Sequence, residues 1–199
     1  MSHLELLESE FHTFQIELPR VQKLALATYC DELVRWNTKM NLTSLSGVPL
    51  VRRLVAEPVW IAQKLHPAGS LVDIGSGNGS PAIPFHIVSG FLACHLIEAR
   101  VKRAAFLRHL AVTLQSSGIT VHRARFEDVA SSLKSPAWIS LQAIALTEEI
   151  IDSIRSIASP MTTIVWITSQ DTEPILNPIR TFTVPITRSQ VFLFNLDLS

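Results

Sequence analysis

The residues best suited to chemistry in this 199-residue chain are a glycine-spaced loop and the acids around it. The run Leu71-Val72-Asp73-Ile74-Gly75-Ser76-Gly77-Asn78-Gly79-Ser80-Pro81 carries an apolar segment into an acid. It then places Gly75, Gly77 and Gly79 at alternate positions, ahead of a proline that can open a helix. Strand, tight turn and helix in that order is how an open α/β sheet holds a nucleotide-like ligand. The spacing is G-x-G-x-G, and Ser80 stands where a dinucleotide fingerprint would need its third glycine. An ordinary glycine-rich turn is the plainer alternative. Glu98 lies 23 residues beyond Gly75 at the end of the next apolar run. A carboxylate there can accept from both hydroxyls of a ribose. It can equally serve the N-terminus of the following helix, where the macrodipole favours an acid. Asp73 either steadies the glycine loop or approaches the ligand. Phe126 and Glu127 follow the third strand, at the corner that would pack along an adenine. Glu127 can also be a helix N-terminal acid paired with Arg123 or Arg125.

The chain carries 17 basic and 17 acidic residues, so its net charge is zero. The distribution is uneven: residues 20–125 balance at +8, residues 1–19 at −4 and residues 126–199 at −4. A basic middle can attract phosphates. The candidates are Arg100, Lys102, Arg103 and Arg108 on one helix and Arg52 with Arg53 on another; plain solvation of a helix surface is the alternative for each. No Asn-Pro-Pro-aromatic motif is present, so methylation of an adenine amino group finds no support. Neither Cys30 nor Cys94 follows a proline, which argues against a thiol nucleophile for pyrimidine carbon methylation. There is no Gly-x-x-x-x-Gly-Lys-Ser/Thr loop for a nucleoside triphosphate. The seven histidines and two cysteines have no metal-type spacing, so no metal is expected. No apolar run reaches the roughly 18 residues of a membrane span, and the N-terminus lacks the pattern of a secretory signal. A cytoplasmic, membrane-free protein is expected.

The elements that must position these residues follow from periodicity. Residues 3–16 form a helix with Leu4, Leu7, Phe11 and Phe14 on one face. Pro19 opens a second helix to about Asn37, with Val21, Leu24, Leu26, Tyr29, Leu33 and Trp36 on its apolar side. A third helix starts near Pro49 and is kinked or divided at Pro58. The period then changes. Strands are expected at 71–74, 91–97, 119–122, 138–141 and 163–168, with helices at 81–89, 101–117, 126–133 and 147–158 between them. Gly90 and Gly118 close two of those helices. Two last runs, 181–184 and 191–196, alternate like a hairpin and place an antiparallel strand at the sheet edge. Alternating strands and helices give a mainly parallel sheet covered on both faces. The expected division is a helical extension over 1–66 packed on a core over 67–199, within one compact domain.

An acid two residues before a G-x-G-x-G loop is the pattern of S-adenosylmethionine-dependent methyltransferases. The chain resembles one family of them more closely. The run Trp36-Asn37-x-x-x-Asn41-Leu42-Thr43 comes first, then Asp73-Ile74-Gly75-Ser76-Gly77-Asn78-Gly79-x-Pro81-x-Ile83-Pro84. Glu98-x-x-x-Lys102-Arg103-x-x-Phe106-Leu107 and Arg125-x-Glu127 complete the set. Together they look like ribosomal RNA small subunit methyltransferase G, also called glucose-inhibited division protein B, over about residues 20–170. The resemblance implies a Rossmann-like methyltransferase that uses S-adenosylmethionine to methylate N7 of a guanine in 16S ribosomal RNA. A monomer is expected. The resemblance carries cofactor contact to Gly75, Ser80, Phe126, Glu127 and Gln142, beside Asp73, Gly77, Gly79 and Glu98 from the loop reading. Arg52, Arg53, Lys102 and Arg103 are the candidates for RNA phosphates. The resemblance names no catalytic acid or base. The chain departs from the family's pattern where Ser80 replaces an apolar residue and Gln142 an arginine. Arg53, Ala56 and Glu57 stand at the His, Asp and Ser of His-x-x-Asp-Ser, and Thr168-Ser169 at a Lys-Gly pair. A non-catalytic RNA- or ribosome-binding relative, or a methyltransferase with another substrate, are the alternatives those positions leave open.

Overall fold

The computed structural model describes residues 1–91, 93–168 and 172–196. The N-terminal part is helical: α1 (His3–Phe14), α2 (Arg20–Asn37), α3 (Gly47–Val51) and α4 (Glu57–Leu65). Ser2 and Glu5 cap α1 reciprocally, each accepting from the other's backbone N–H. Along α2 the buried side is Leu26, Ala27, Tyr29, Cys30 and Leu33. Val21 and Leu24, expected on that side, are 72% and 44% exposed. At about 3.6 residues per turn they fall on the face opposite Leu26. A π-helical turn, Arg52–Ala56, joins α3 to α4. It ends as Glu57 N–H donates to the Arg52 carbonyl, one residue wider than an α-helical bond. Pro58, with no N–H to offer, then sits in the first turn of α4, where none is needed. The division expected at Pro58 is therefore present as a change of helical pitch.

The remaining chain alternates. It runs β1 (Ser70–Ile74), α5 (Ala82–Ser89), β2 (Ala93–Ile97), α6 (Val101–Thr113), β3 (Ile119–His122), α7 (Phe126–Val129), β4 (Trp138–Gln142), α8 (Glu148–Ile157) and β5 (Thr163–Thr168). β6 (Arg180–Thr183) and β7 (Gln190–Phe194) close it. The sheet order is β3-β2-β1-β4-β5-β7-β6. Strands β1 to β5 are parallel, and β7 is antiparallel to both of its neighbours. The hairpin is present, but its antiparallel strand is one place in from the edge. β6 occupies the edge and runs in the direction of the parallel set. A second difference lies in α6, which stops at Thr113, not at 117. Gln115, with φ 51°, supplies the left-handed residue expected of Gly118.

Apolar side chains fill both faces of the sheet. One face packs with the N-terminal helices: Leu7, Phe11, Leu26, Tyr29 and Val55 share a core with Leu71, Phe85, Leu96, Phe106 and Val191. The other face holds Val72, Ile139, Trp166 and Phe192 against Ile151, Ile154 and Ile157 of α8. The order of strands changes direction between β1 and β4. Their carboxyl ends form a crevice there, the position at which open α/β sheets hold ligands.

Candidate active site

The loop after β1 is shaped by its glycines. Gly75 and Gly79 take φ of 69° and 96°, which L side chains rarely adopt. A Cβ on Gly75 would overlap Ile144 Cδ1, and one on Gly79 would lie 2.9 Å from Ile83 Cγ1. Backbone bonds hold the loop: Ser76 N–H donates to the Ile97 carbonyl at 2.9 Å and Gly79 N–H to the Ser76 carbonyl at 2.6 Å. Beneath it, the fully buried Tyr29 donates its hydroxyl to the Asn78 carbonyl at 3.1 Å. Burial raises the Tyr29 pKa well above the ordinary value, so the phenol remains a neutral donor.

Glu98 comes to the loop from the end of β2. Its Oε2 accepts from Gly77 N–H at 3.0 Å and its Oε1 from Arg100 N–H at 2.7 Å. The helix-terminus role is thus met at Arg100, the residue that caps α6. Each carboxylate oxygen has a second lone pair, so two sites remain for hydroxyl donors from the crevice. Asp73 is placed differently. It is 1% exposed, does not line the crevice, and accepts from Ser140 Oγ on β4 at 2.5 Å. Its Oδ2 has no hydrogen-bond partner among the described residues. Burial pushes its pKa up to about 7, against the opposing effect of the Ser140 bond. Of the two roles open to Asp73, steadying the loop base is the one its position allows.

The crevice has a volume of about 670 Å³. That is within the usual range for small-molecule sites. Gly75, Gly77, Ser80, Glu98 and Gln142 line it together, as do Arg53 and Arg103. Ser80 Oγ donates to Gln142 Oε1 at 3.0 Å, so two positions of altered residue type meet directly. On the opposite wall, Arg53 Nη1 donates to Ser189 Oγ at 2.8 Å and to Glu57 Oε2 at 3.3 Å. Ser189 Oγ in turn donates to Glu57 Oε2 at 2.9 Å. Burial raises the Glu57 pKa, and Thr187, the Arg53 charge and Ser189 oppose it. This network ties the turn between β6 and β7 to the π-helical turn across the crevice. Ala56 is fully buried and does not line the crevice. Thr168 lines it and shares a hydrogen bond with Thr172. Ser169 lies outside the described residues.

Six expected residues lie outside the lining: Asp73, sealed beneath the loop, Gly79, whose Cα faces Ile83, Tyr29 and Leu107 of the core, and four that lie elsewhere. Phe126 is buried in the core beneath α8 and Glu127 is exposed in the first turn of α7, and neither lines the crevice. Glu127 makes no ion pair with Arg123 or Arg125 among the described residues. Lys102 lines only a neighbouring cleft. Arg52 is the clearest correction. Its guanidinium grips Glu10 of α1 through two bonds, 2.7 and 3.0 Å long, with Glu10 only 4% exposed. Its charge is thereby committed to holding α1 against the π-helical turn. Sequence reasoning missed Tyr29, Ile144 and Ser189. Tyr29 is the only tyrosine of the chain, but its hydroxyl contact spans 49 residues. Ile144 follows Ala143, whose φ of 55° turns the chain toward the loop. Among the described residues no cluster of His, Cys, Asp and Glu can hold a metal, and no helix is long and apolar enough to cross a membrane.

Comparison with known proteins agrees with this architecture. A ribosomal RNA small subunit methyltransferase G of Chloroflexus aggregans is 36% identical over 120 residues, 59% of this chain and 50% of that protein. The match therefore spans half the length of that relative. The Helicobacter hepaticus protein of the same name is 31% identical over 139 residues, 69% of this chain and 75% of its own. Among solved structures, the C-terminal domain of precorrin-6Y C5,15-methyltransferase from Rhodobacter capsulatus superposes with a TM-score of 0.54. That match has 16% identity and covers 77% of this chain and 91% of that one, so it speaks for the shared methyltransferase fold alone. The family model GidB, described as rRNA small subunit methyltransferase G, matches residues 22–183. With that span covering most of the chain, from α2 to β6, the protein belongs to the rRNA small subunit methyltransferase G family.

Proposed function

We propose that the protein transfers a methyl group from S-adenosylmethionine to N7 of a guanine in 16S ribosomal RNA, acting as a cytoplasmic monomer. The observation that carries this reading is Glu98, bound to the glycine loop through Gly77 N–H with acceptor capacity left toward the crevice. The crevice fits the cofactor in three respects. Its volume suits a nucleoside with an amino-acid tail, its loop is kept free of side chains at Gly75 and Gly77, and its carboxylate lies where a ribose would. When bound, S-adenosylmethionine supplies an electrophilic methyl on a sulfonium. The chain's own residues bind and orient. Glu98 receives the ribose hydroxyls. Gly75 and Gly77 allow close approach of the backbone. Ser80 and Gln142 form the wall beside the loop, with the Gln142 amide N–H groups as donors.

Guanine N7 carries an in-plane lone pair and no proton, so the displacement needs no general base. Alignment of the nucleophile with the sulfonium methyl provides most of what such a step requires. This accords with Asp73, sealed beneath the crevice, and Glu57 in its wall, both buried away from solvent and each engaged by a hydroxyl donor. One observation favours a second reading, methylation of a different RNA position. Arg53, Glu57, Ser80, Gln142 and Thr168, all of altered type, line the same crevice. Two assays decide. Calorimetric titration with S-adenosylmethionine is expected to show binding that weakens at least tenfold in Glu98→Ala, as loss of a charged hydrogen-bond partner implies. Methyl transfer to ribosomal RNA from a strain lacking the gene, with mapping of the product, is expected to yield N7-methylguanine. Methyl appearing elsewhere selects the second reading, and an absence of cofactor binding by folded protein removes both.

A further inference from the structure

One motif reaches the crevice only through Leu42: Trp36-Asn37 to Asn41-Leu42-Thr43, the connector after α2. Asn37 folds it. Its Oδ1 accepts from Leu42 and Thr43 N–H at 2.8 and 3.1 Å, and its Nδ2 donates to the Thr43 carbonyl at 2.9 Å. Trp36 packs on Phe106 and His109 of α6, with ring centroids 5.7 and 5.1 Å away, which fixes the connector at a set distance from that helix. Between them lies a second cleft of about 730 Å³. Lys39 lines one side, and Arg100, Lys102 and Arg103 line the other, at the start of α6. No acidic residue lines it among the described residues. None of these four cations takes part in an ion pair among the described residues. Lys39, Arg100 and Lys102 are exposed. Four cations on one concave surface, with no acid among its lining residues, are an electrostatic site for a polyanion.

The two clefts share a wall. Arg100 and Arg103 line both, whereas Lys39 and Lys102 line only the second. Arg103 spans the division: its Nη2 donates to the Asn41 carbonyl at 3.3 Å, and its Nη1 lies 3.6 Å from where a Cβ on Gly77 would be. We propose that this second cleft binds the phosphates of the single RNA strand flanking the base presented to the crevice, with Lys39 and Lys102 each holding one phosphate. The proposal rests on the RNA-directed activity stated above. It adds where the strand runs: along the connector after α2, past the start of α6, away from the β6–β7 turn.

The test compares wild type with Lys39→Gln/Lys102→Gln, titrating a short labelled single-stranded RNA across a range of salt. Loss of two phosphate contacts is expected to make the slope of log affinity against log salt shallower by about 1.4, at ~0.7 per contact on single strands. S-adenosylmethionine affinity is expected to stay unchanged, since neither lysine lines the crevice. Lys39→Arg/Lys102→Arg is expected to restore the wild-type slope. An unchanged slope in the glutamine variant, or no RNA binding by wild type, overturns the proposal. Weakened cofactor binding in that variant also overturns it, because the cleft would then be part of the cofactor site. Wild-type protein that binds RNA with the expected slope difference but transfers no methyl group overturns the proposed activity and leaves the phosphate cleft standing.

Discussion

Asp73 was legible from sequence as an acid at a strand end, but not as a buried one. Its register partner on β4 is Ser140, and the pair is sealed between the two core layers. Burial raises its pKa from the ordinary 3.8 to about 7. The folded state therefore favours the protonated acid. Asp73 contributes most to stability below its unfolded pKa, and that contribution is lost as pH rises through about 7. An Asp73→Asn variant has no such titration. Relative to it, wild type is expected to lose on the order of 3 kcal/mol between acid and neutral pH, since each tenfold change in proton affinity is worth ~1.36 kcal/mol. Urea unfolding of both proteins at about pH 5 and about pH 8 measures the difference. A gap independent of pH would show that Asp73 is ionised throughout. Glu98 presents the opposite situation: its place at the strand end and its bond at the start of α6 followed from spacing, and the structure adds Gly77 N–H as a second donor. An acid at the end of the second strand of such a sheet has the glycine loop on one side and a helix start on the other.

At the scale of elements, Arg52 shows what spacing does not reveal. Adjacent arginines on a helix read as a phosphate site, yet Arg52 and Arg53 leave the π-helical turn in different directions. Arg53 faces the crevice and Arg52 faces α1. The partner of Arg52, Glu10, lies 42 residues earlier, on a helix whose docking depends on Leu7 and Phe11. Arg52→Ala is expected to cost about 1–3 kcal/mol in denaturant unfolding, because it leaves the Glu10 carboxylate buried without its charged donor. The salt slope of RNA binding is expected to stay at the wild-type value; a shallower slope would return Arg52 to the phosphate contacts. Other elements were readable because local and global preferences agree. Helix α8 begins at Thr147, which accepts from Ile150 N–H, and buries Ile151, Ile154 and Ile157 at spacings of three. Helix α6 ended early for the converse reason. Residues 114–117 continue a helical composition, but the chain must turn there to deliver Ile119 to the sheet edge beside Cys94.

For the molecule as a whole, the proposed division into an extension over 1–66 and a core over 67–199 has an energetic consequence. The first layer of apolar packing is built from both parts, with Leu7, Phe11, Leu26 and Val55 closing over Phe85, Leu96 and Phe106. Tyr29, which anchors the glycine loop from below, also belongs to the extension. A fragment of residues 67–199 is expected to lose cooperative thermal unfolding and to bind a hydrophobic dye, as states without fixed packing do. Cofactor affinity should be lost with them. Cooperative unfolding in the fragment, read by circular dichroism, would show that the sheet and its own helices are self-sufficient.

The sequence by itself determined the order of strands and helices in the alternating region, though not the ends of α6 and α7, and the glycine loop with its acid. Each of these is set by local period or by a backbone conformation that only certain residues tolerate. It determined the family through an ordered set of short motifs. Only the tertiary structure decided which charges are free. Arg52 is spent on Glu10, Arg53 is shared with Glu57 and Ser189, and Lys39 and Lys102 are left open to solvent. It alone decided that Asp73 is sealed beneath the loop and that Ser80 meets Gln142 across 62 residues of chain. The reason is physical: period and propensity act over a few residues. The availability of a charge depends on which distant side chains the fold brings within hydrogen-bond reach.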